Sequence, residues 1–140
     1  MDAPELLLPQ RLLDRSSLRG NEYAWRVGDI PDVIEAARLA GFVSLGGQLQ
    51  FRVPDGTCEC YWVEVDTFRV VSSDLLWSER VDRTASEALD QFQRLTSSFD
   101  FLAEGRKTFP EIFSEFEASG GKAEDAMCFV WYLEARQDGA

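Results

Sequence analysis

Hydrophobic residues recur at two different spacings along the chain, and these spacings predict where helices and strands lie. The first clear helical period covers residues 30–40, where apolar side chains lie three and four positions apart. Asp29 is predicted to cap this helix, Pro31 fits its first turn, and Gly41 fits its end. Residues 1–21 are rich in leucine but irregular, and both a short helix and an extended arm remain open for them.

Residues 42–45 and 48–53 predict two short strands separated by a pair of glycines. The second strand alternates strictly between a polar and an apolar face, which predicts one face in water and one packed face. Its polar face holds Gln48, Gln50 and Arg52. Gly46 and Gly47 predict a tight turn or a bulge, because a phosphate-binding loop would be followed by a helix and not by a strand.

A returning strand is predicted at residues 58–65, after a turn formed by the sequence PDG at residues 54–56. This strand is apolar on both faces, which predicts a central position in the sheet. Residues 67–71 are compatible with a further short strand. Residues 74–81 are compatible with a turn or with one helical turn.

The second half of the chain predicts two helices and a final apolar segment. A long helix is predicted at residues 85–104, where Thr84 and Glu87 match a capping box and Gly105 fits the stop. A shorter helix is predicted at residues 110–118, before two glycines. Residues 126–135 carry an aromatic cluster typical of a strand, with a helix as the alternative.

This order of elements predicts an α+β fold in a single domain covering residues 1–140. The expected architecture is a small mixed or antiparallel sheet of about four to five strands, with helices packed on one face. A chain of 140 residues with 45% hydrophobic residues is suited to one buried core. The ends, residues 1–6 and 137–140, are predicted to be loose.

The charge of the chain limits the classes of partner that it is predicted to bind. The formal net charge is −11, and residues 58–140 hold seventeen acidic against eight basic residues. Such a surface repels nucleic acids and anionic membranes, so neither is a predicted partner. It attracts a protein with a basic surface and speeds the encounter with it.

Histidine is absent and cysteine occurs three times, which limits the possible chemistry and the compartment. The absence of histidine excludes Ser-His-Asp and Cys-His catalysis and most zinc sites. The odd cysteine count, the lack of a signal peptide and the lack of a membrane-length apolar run predict a reduced, cytoplasmic protein.

Candidate chemistry is sparse. Cys58 and Cys60 lie on one face of their strand and could begin a metal site, but a closed zinc site needs four ligands. Two small side chains in the core are the favoured interpretation, so no metal, cofactor or catalytic residue is predicted. Paired carboxylates leave open an alternative function as a small-molecule-binding protein or a carboxylate-dependent enzyme. A structural adaptor with an apolar patch on the long helix is a third possibility.

Tryptophan and tyrosine next to acidic residues form the composition of a protein-binding hot spot. The predicted partner-binding residues lie on or near the returning strand. They are Glu59, Tyr61, Trp62, Glu64 and Asp66, with Asp74 and Glu79 as a rim.

Residues 20–66 resemble the immunity protein 40 family of bacterial polymorphic-toxin systems. The shared pattern is a short helix, a hydrophobic strand ending in Gly46-Gly47, an aromatic at Phe51, a turn, and then Trp62. The sequence EYAWRVGD at residues 22–29 also fits. The chain departs from the family pattern at Tyr61, where an Asn or Asp tends to stand.

This resemblance implies a non-enzymatic protein that binds and occludes a cognate toxin in the bacterial cytoplasm. A toxin with a basic active site, such as a nuclease, would be its partner. The negative charge of the second half and the absence of histidine agree with this function and were established without the resemblance.

Overall fold

The computed structural model describes residues 3–71 and 74–137, which form an α+β fold around one antiparallel sheet. The strands are β1 (Ser17–Arg19), β2 (Glu22–Trp25), β3 (Val43–Val53), β4 (Gly56–Asp66) and β5 (Met127–Glu134). Their order in the sheet is β1-β2-β5-β3-β4, and every neighbouring pair is antiparallel. The predicted fold class is therefore confirmed.

The helices pack on one face of this sheet. They are α1 (Gln10–Leu13), α2 (Ile30–Leu39), α3 (Trp77–Ser98), α4 (Phe101–Thr108), α5 (Pro110–Ala118) and α6 (Ala123–Ala126), with 3-10 turns at Pro4–Leu7 and Val27–Asp29. Phe92 of α3 contacts Phe129 edge-on at 5.2 Å between ring centroids, and Phe113 of α5 contacts Phe51 at 4.8 Å. These aromatic pairs join the helix layer to β3 and β5.

Two of the predicted helices are confirmed, although one predicted cap is wrong. Helix α2 has Pro31 in its first turn and Gly41, with φ of 82°, directly after its end. The Asp29 side chain makes no capping bond and instead pairs with Arg15 at 3.4 Å. Helix α5 matches the predicted residues 110–118, and residues 127–134 form a strand, which settles the open alternative there.

The long helix predicted at residues 85–104 is wrong at both ends. Helix α3 begins eight residues earlier, so Thr84 lies inside it, where its hydroxyl donates to the Arg80 carbonyl and accepts from the Ser44 amide. The chain leaves the helical conformation at Phe99, and Asp100 caps α4 by accepting a hydrogen bond from the Ala103 amide at 3.1 Å. Local capping chemistry at Asp100 thus outweighs the continuous apolar period.

The predicted pair of short strands is one strand, β3, with a bulge at the glycines. The register with β5 shifts between Ser44 and Gly46, and Gly46 has φ of 124°. Residues 67–71 are not a strand, because the amides of Val70 and Val71 both donate to the Thr67 carbonyl and form a turn.

The predicted central position of residues 58–65 is wrong, because β4 is the last strand of the sheet. Its apolar residues are of two kinds. Cys58 and Cys60 face the core, whereas Tyr61 and Trp62 are exposed. In this protein, a run of residues that is apolar on both faces therefore forms an edge strand, and its aromatic residues lie at the surface.

The predicted wet face of β3 is also wrong. Gln50 is 0% exposed and Arg52 only 9% exposed. The β1–β2 hairpin covers this face, because the Arg52 guanidinium donates to the carbonyls of Ser17 and Glu22. The polar alternation of β3 thus serves contacts between strands.

At the N-terminus, the Glu5 carboxylate accepts a hydrogen bond from the Leu133 amide at 3.1 Å, so this part of the predicted loose end is held against β5. Residues 1–2 and 138–140 of the predicted loose ends lie outside the described residues. Within residues 3–71 and 74–137, no helix has the length and apolar character needed to cross a bilayer.

Candidate protein-binding site

The outer edge of β4 carries a bulge that turns two aromatic side chains outward. Cys60 pairs with Leu49 and Glu64 with Gln48, so the three residues between them have no partner on β3. Tyr61 is 63% exposed and Trp62 is 46% exposed. We call residues 59–66 the aromatic edge.

Trp62 is held in place by the helix layer although half of its surface is open. Its indole Nε1 donates to Glu104 Oε2 of α4 at 2.9 Å. Because the ring is already oriented, Trp62 would lose less side-chain entropy when a partner covers it than a freely rotating tryptophan would.

Tyr61 and Glu59 lie on the sheet face opposite the helices. The Glu59 carboxylate accepts from Gln50 Nε2 at 3.3 Å. A hydrogen bond to Glu59 raises the pKa of Tyr61, and the charge of the same carboxylate acts in the same direction. The phenol therefore stays neutral around pH 7, and its oxygen can still accept a hydrogen bond from a partner while its O–H donates to Glu59.

A groove of about 570 Å³ continues from the aromatic edge between β4 and α3, and its lining includes Glu64, Asp66 and Phe68. The side-chain amide of Gln91 binds both backbone groups of Asp66, with N···O distances of 2.9 Å each. The Asp66 carboxylate accepts from the Phe68 amide at 2.9 Å. These bonds fix the end of β4 and leave Phe68 79% exposed.

The lining of the groove carries both acidic and basic residues. Arg69 and Arg94 also line it, and Arg94 pairs with Asp90 at 2.9 Å and with Glu87 at 3.8 Å. Within the part of the chain that the structure describes, no side chain hydrogen-bonds or pairs with the Glu64 carboxylate. Glu64 is thus available to a cationic group of a partner.

Of the two predicted rim residues, Glu79 lies away from the aromatic edge. Glu79 is in the first turn of α3, twelve residues before Gln91, which corresponds to about 18 Å along the helix axis. The Trp77 indole donates to the Gly41 carbonyl at 2.8 Å, which places this end of α3 beside α2. Asp74 is exposed and precedes the same helix end. The structure thus brings together the five predicted residues of β4 but does not place Glu79 beside them.

The cysteines are free and buried on two sides of the sheet. Cys58 and Cys60 face the helices, as the core interpretation predicts, whereas Cys128 lies on the opposite face with Ala24 and Val130. Burial raises the pKa of Cys60 and of Cys128 to about 11. Among the described residues, no three His, Cys, Asp or Glu side chains converge as a metal site would require.

The raised cysteine pKa values predict slow alkylation of the folded protein. At pH 8 a thiol with a pKa near 11 holds about 100-fold less thiolate than one with a pKa near 9, and the thiolate is the nucleophile. We expect iodoacetamide to label Cys60 and Cys128 at least that much more slowly in the native protein than in urea, as measured by mass spectrometry. Equal labelling rates in the two states would contradict the buried placement.

Comparison with models of known protein families, with curated protein sequences and with solved structures found no significant match to this chain. The resemblance of residues 20–66 to the immunity protein 40 family therefore stays a prediction from the sequence pattern.

Proposed function

We propose that this protein is a non-enzymatic, immunity-type inhibitor that binds a cognate bacterial toxin through the aromatic edge and occludes the toxin's active site. The observation that carries the proposal is the bulge in β4, which exposes Tyr61 and Trp62 beside the carboxylates of Glu64 and Asp66. The cytoplasm is the proposed compartment, in agreement with three free thiols.

The chemistry of this edge favours a protein as the ligand. Exposed tryptophan and tyrosine supply large contact areas at low entropy cost and are enriched among hot-spot residues. Trp62 is oriented by Glu104 before any partner arrives, and Phe68 extends the apolar area along the groove.

The charge favours a partner with a basic surface, such as a nuclease. A net charge of −11 gives a long-range field that accelerates the approach of a cationic protein and slows that of nucleic acid. Glu64 and Asp66 then meet cationic groups next to the aromatic anchors.

A small-molecule-binding or carboxylate-dependent enzymatic function is the second candidate. It is favoured by the groove of about 570 Å³, which has the size of a ligand pocket and contains the carboxylates of Glu64, Asp66 and Glu87. The ion pair of Glu87 with Arg94 at 3.8 Å argues against it, because one of these carboxylates is then already neutralised. The adaptor function has less support, since the described part of α3 exposes no large apolar side chain.

The test of the inhibitor function starts from the reading frame directly upstream, which we expect to encode a secreted protein with a toxin-like C-terminal domain, and uses that domain. Co-expression of this protein is expected to restore growth that the toxin domain arrests. Trp62→Ala should weaken binding by about tenfold or more in biolayer interferometry, because it removes a central anchor. The control is Leu39→Ala, which shortens a more exposed apolar side chain on α2. Failure of the wild-type protein to protect cells from that domain would reject the proposal.

Charge reversal at two sites distinguishes the effect of the β4 carboxylates on the association rate from the effect of the net charge. Glu64→Lys with Asp66→Lys should lower the association rate about tenfold at low ionic strength and flatten its salt dependence, because the steering charges lie at the contact. Glu111→Lys with Glu115→Lys on α5 changes the net charge by the same amount at another exposed site. Stopped-flow association rates that fall equally in both double variants would exclude a specific role for β4.

A further inference from the structure

A second site, independent of the aromatic edge, lies on the sheet face that the β1–β2 hairpin covers. The Arg52 guanidinium reaches from β3 to this hairpin. Its Nη1 donates to the carbonyl and the hydroxyl of Ser17 at 2.7 and 3.1 Å, and its Nη2 donates to the Glu22 carbonyl at 3.1 Å. Its Nε donates to Gln50 Oε1 at 3.2 Å. All four acceptors are neutral, so none of them balances the positive charge.

Arg19 of β1 is held in the same manner. Its Nη1 donates to the Gly56 carbonyl at 2.8 Å and to Thr57 Oγ1 at 2.9 Å, and its Nη2 donates to the Val53 carbonyl at 2.7 Å. These bonds join β1 to the β3–β4 turn. They again leave the charge without a carboxylate partner.

Arg19 and Arg52 differ from the half of the chain's twelve arginines that form ion pairs among the described residues. Within residues 3–71 and 74–137, no carboxylate forms an ion pair with Arg19 or Arg52. Six other arginines do form such pairs: Arg11, Arg15, Arg26, Arg38, Arg94 and Arg106. Arg52 is also nearly buried, where an unbalanced charge is costly because water cannot solvate it.

Both arginines line a cavity of about 200 Å³, which we call the arginine cavity. Arg15 and Arg26 stand at its exposed rim, and Cys128 and Ala24 belong to its buried lining. Asp125 is the acidic residue of the lining, and it pairs with Arg26 at 3.2 Å. The lining therefore carries four positive charges and one negative charge in a chain of net charge −11.

The positive field of the cavity acts on the Cys128 thiol. Burial raises the pKa of this thiol, and Arg52 and then Arg19 oppose that rise. The resulting pKa of about 11 keeps the thiol neutral at pH 7, so it does not repel an anion. The carboxylates of Glu22 and Glu59, on the same sheet face, are bound by Tyr132 and Gln50 and do not line the cavity.

We propose that the arginine cavity binds a small oxyanion with the chemistry of a phosphate group. A guanidinium has five N–H donors, so one N–H of Arg52 and two of Arg19 are not used by the described residues. Guanidinium groups bind phosphate oxygens through charge-assisted, often paired hydrogen bonds. A volume of about 200 Å³ lies below the range of cofactor pockets and suits a compact anion.

The experiment titrates the full chain with inorganic phosphate at constant ionic strength, set with sodium chloride, and follows amide NMR shifts. Saturable shifts at Ala24 and Cys128, with a Kd of about 1 mM or tighter, are expected. A parallel titration with glycerol 3-phosphate distinguishes the sources. Binding of phosphate alone assigns the site to the free anion, and binding of both assigns it to phosphate groups including esters.

Three variants make the assignment specific. Arg19→Gln should weaken phosphate binding about tenfold, because it removes one of the two unpaired cations. Asp125→Asn should strengthen binding severalfold, since it removes the negative charge of the lining and releases Arg26. A variant that only lost structure would bind phosphate more weakly, so tighter binding by Asp125→Asn cannot come from a loss of structure. Arg94→Gln, on α3, is the control and should leave the Kd unchanged.

Absence of saturable shifts in the wild-type protein would overturn the proposal. So would an unchanged or weaker Kd in Asp125→Asn, which remains a valid test if Arg19→Gln fails to fold. Because the toxin-binding residues play no part in this titration, its failure would leave the proposed inhibitor function intact.

Discussion

Gly47→Ala is expected to destabilise the fold by about 4 kcal/mol or more, or to prevent folding. A Cβ at Gly47 would lie 1.6 Å from the Val130 carbonyl oxygen and 2.7 Å from its carbon. Both atoms belong to the backbone of β5, so no side-chain rotation can relieve the overlap. Strand β3 would have to move away from β5 in the middle of the sheet, where Gly47 pairs with Trp131 and Val65.

The measurement is urea unfolding followed by the fluorescence of the four tryptophans. Gly56→Ala is the matched control in the same hairpin, because a Cβ at Gly56 meets no described atom within 4 Å apart from its chain neighbours. We expect the control to change the free energy of unfolding by less than about 1 kcal/mol. A similarly small change in Gly47→Ala would mean that β3 and β5 do not pair as described.

Arg52→Met is expected to cost about 2–3 kcal/mol of stability, the second large effect, because the lost hydrogen bonds outweigh the relief of removing an unbalanced buried charge. Methionine keeps much of the apolar stem but removes every hydrogen bond to the β1–β2 hairpin. The carbonyls of Ser17 and Glu22 then lose their side-chain donor, and the buried Gln50 loses a partner. Gln50 is fully buried, and a buried polar group left without a partner costs about 1–3 kcal/mol.

The loss in Arg52→Met should be concentrated in one part of the molecule. Hydrogen exchange of amides in residues 17–25 should accelerate more than that of β3 and β5, because Arg52 joins the hairpin to the rest of the sheet. Arg94→Met, at an exposed arginine of α3, should change stability by no more than about 0.5 kcal/mol. Equal unfolding free energies for the two methionine variants would show that Arg52 does not fasten the hairpin.

The elements that the sequence predicts well are those whose signals are local. Helix α2 has proline at its start and glycine at its end, and the PDG turn connects two strands that do pair. The break at Asp100 interrupts an apolar period that continues on both sides, so periodicity alone joins α3 to α4. Thr84 resembles a cap in sequence but is a buried residue that bonds to β3, a contact 40 residues distant.

The candidate site was predictable only where it lies on one strand. Glu59 to Asp66 are neighbours in sequence, so their composition alone indicates a surface. Glu104 and Gln91 were missed because they reach β4 from helices 42 and 25 residues away. Phe68 was missed because its turn resembles a strand, although its position directly after the acidic strand end was a usable signal. The burial of Arg52 depends on contacts with β1, and this strand of three residues is too short to give a recognisable hydrophobic pattern in the sequence.

The bulge at residues 61–63 affects how readily copies of this protein can associate through their strand edges. An uninterrupted border strand is a template on which further copies can stack into fibrils. Here the ladder between β3 and β4 is interrupted near its midpoint, and two copies of β4 stacked in parallel register would also place the carboxylates of Glu64 and Asp66 opposite their own copies. The opposite border, β1, is three residues long and offers little to extend. Both borders of the sheet are therefore poor templates for the addition of further copies.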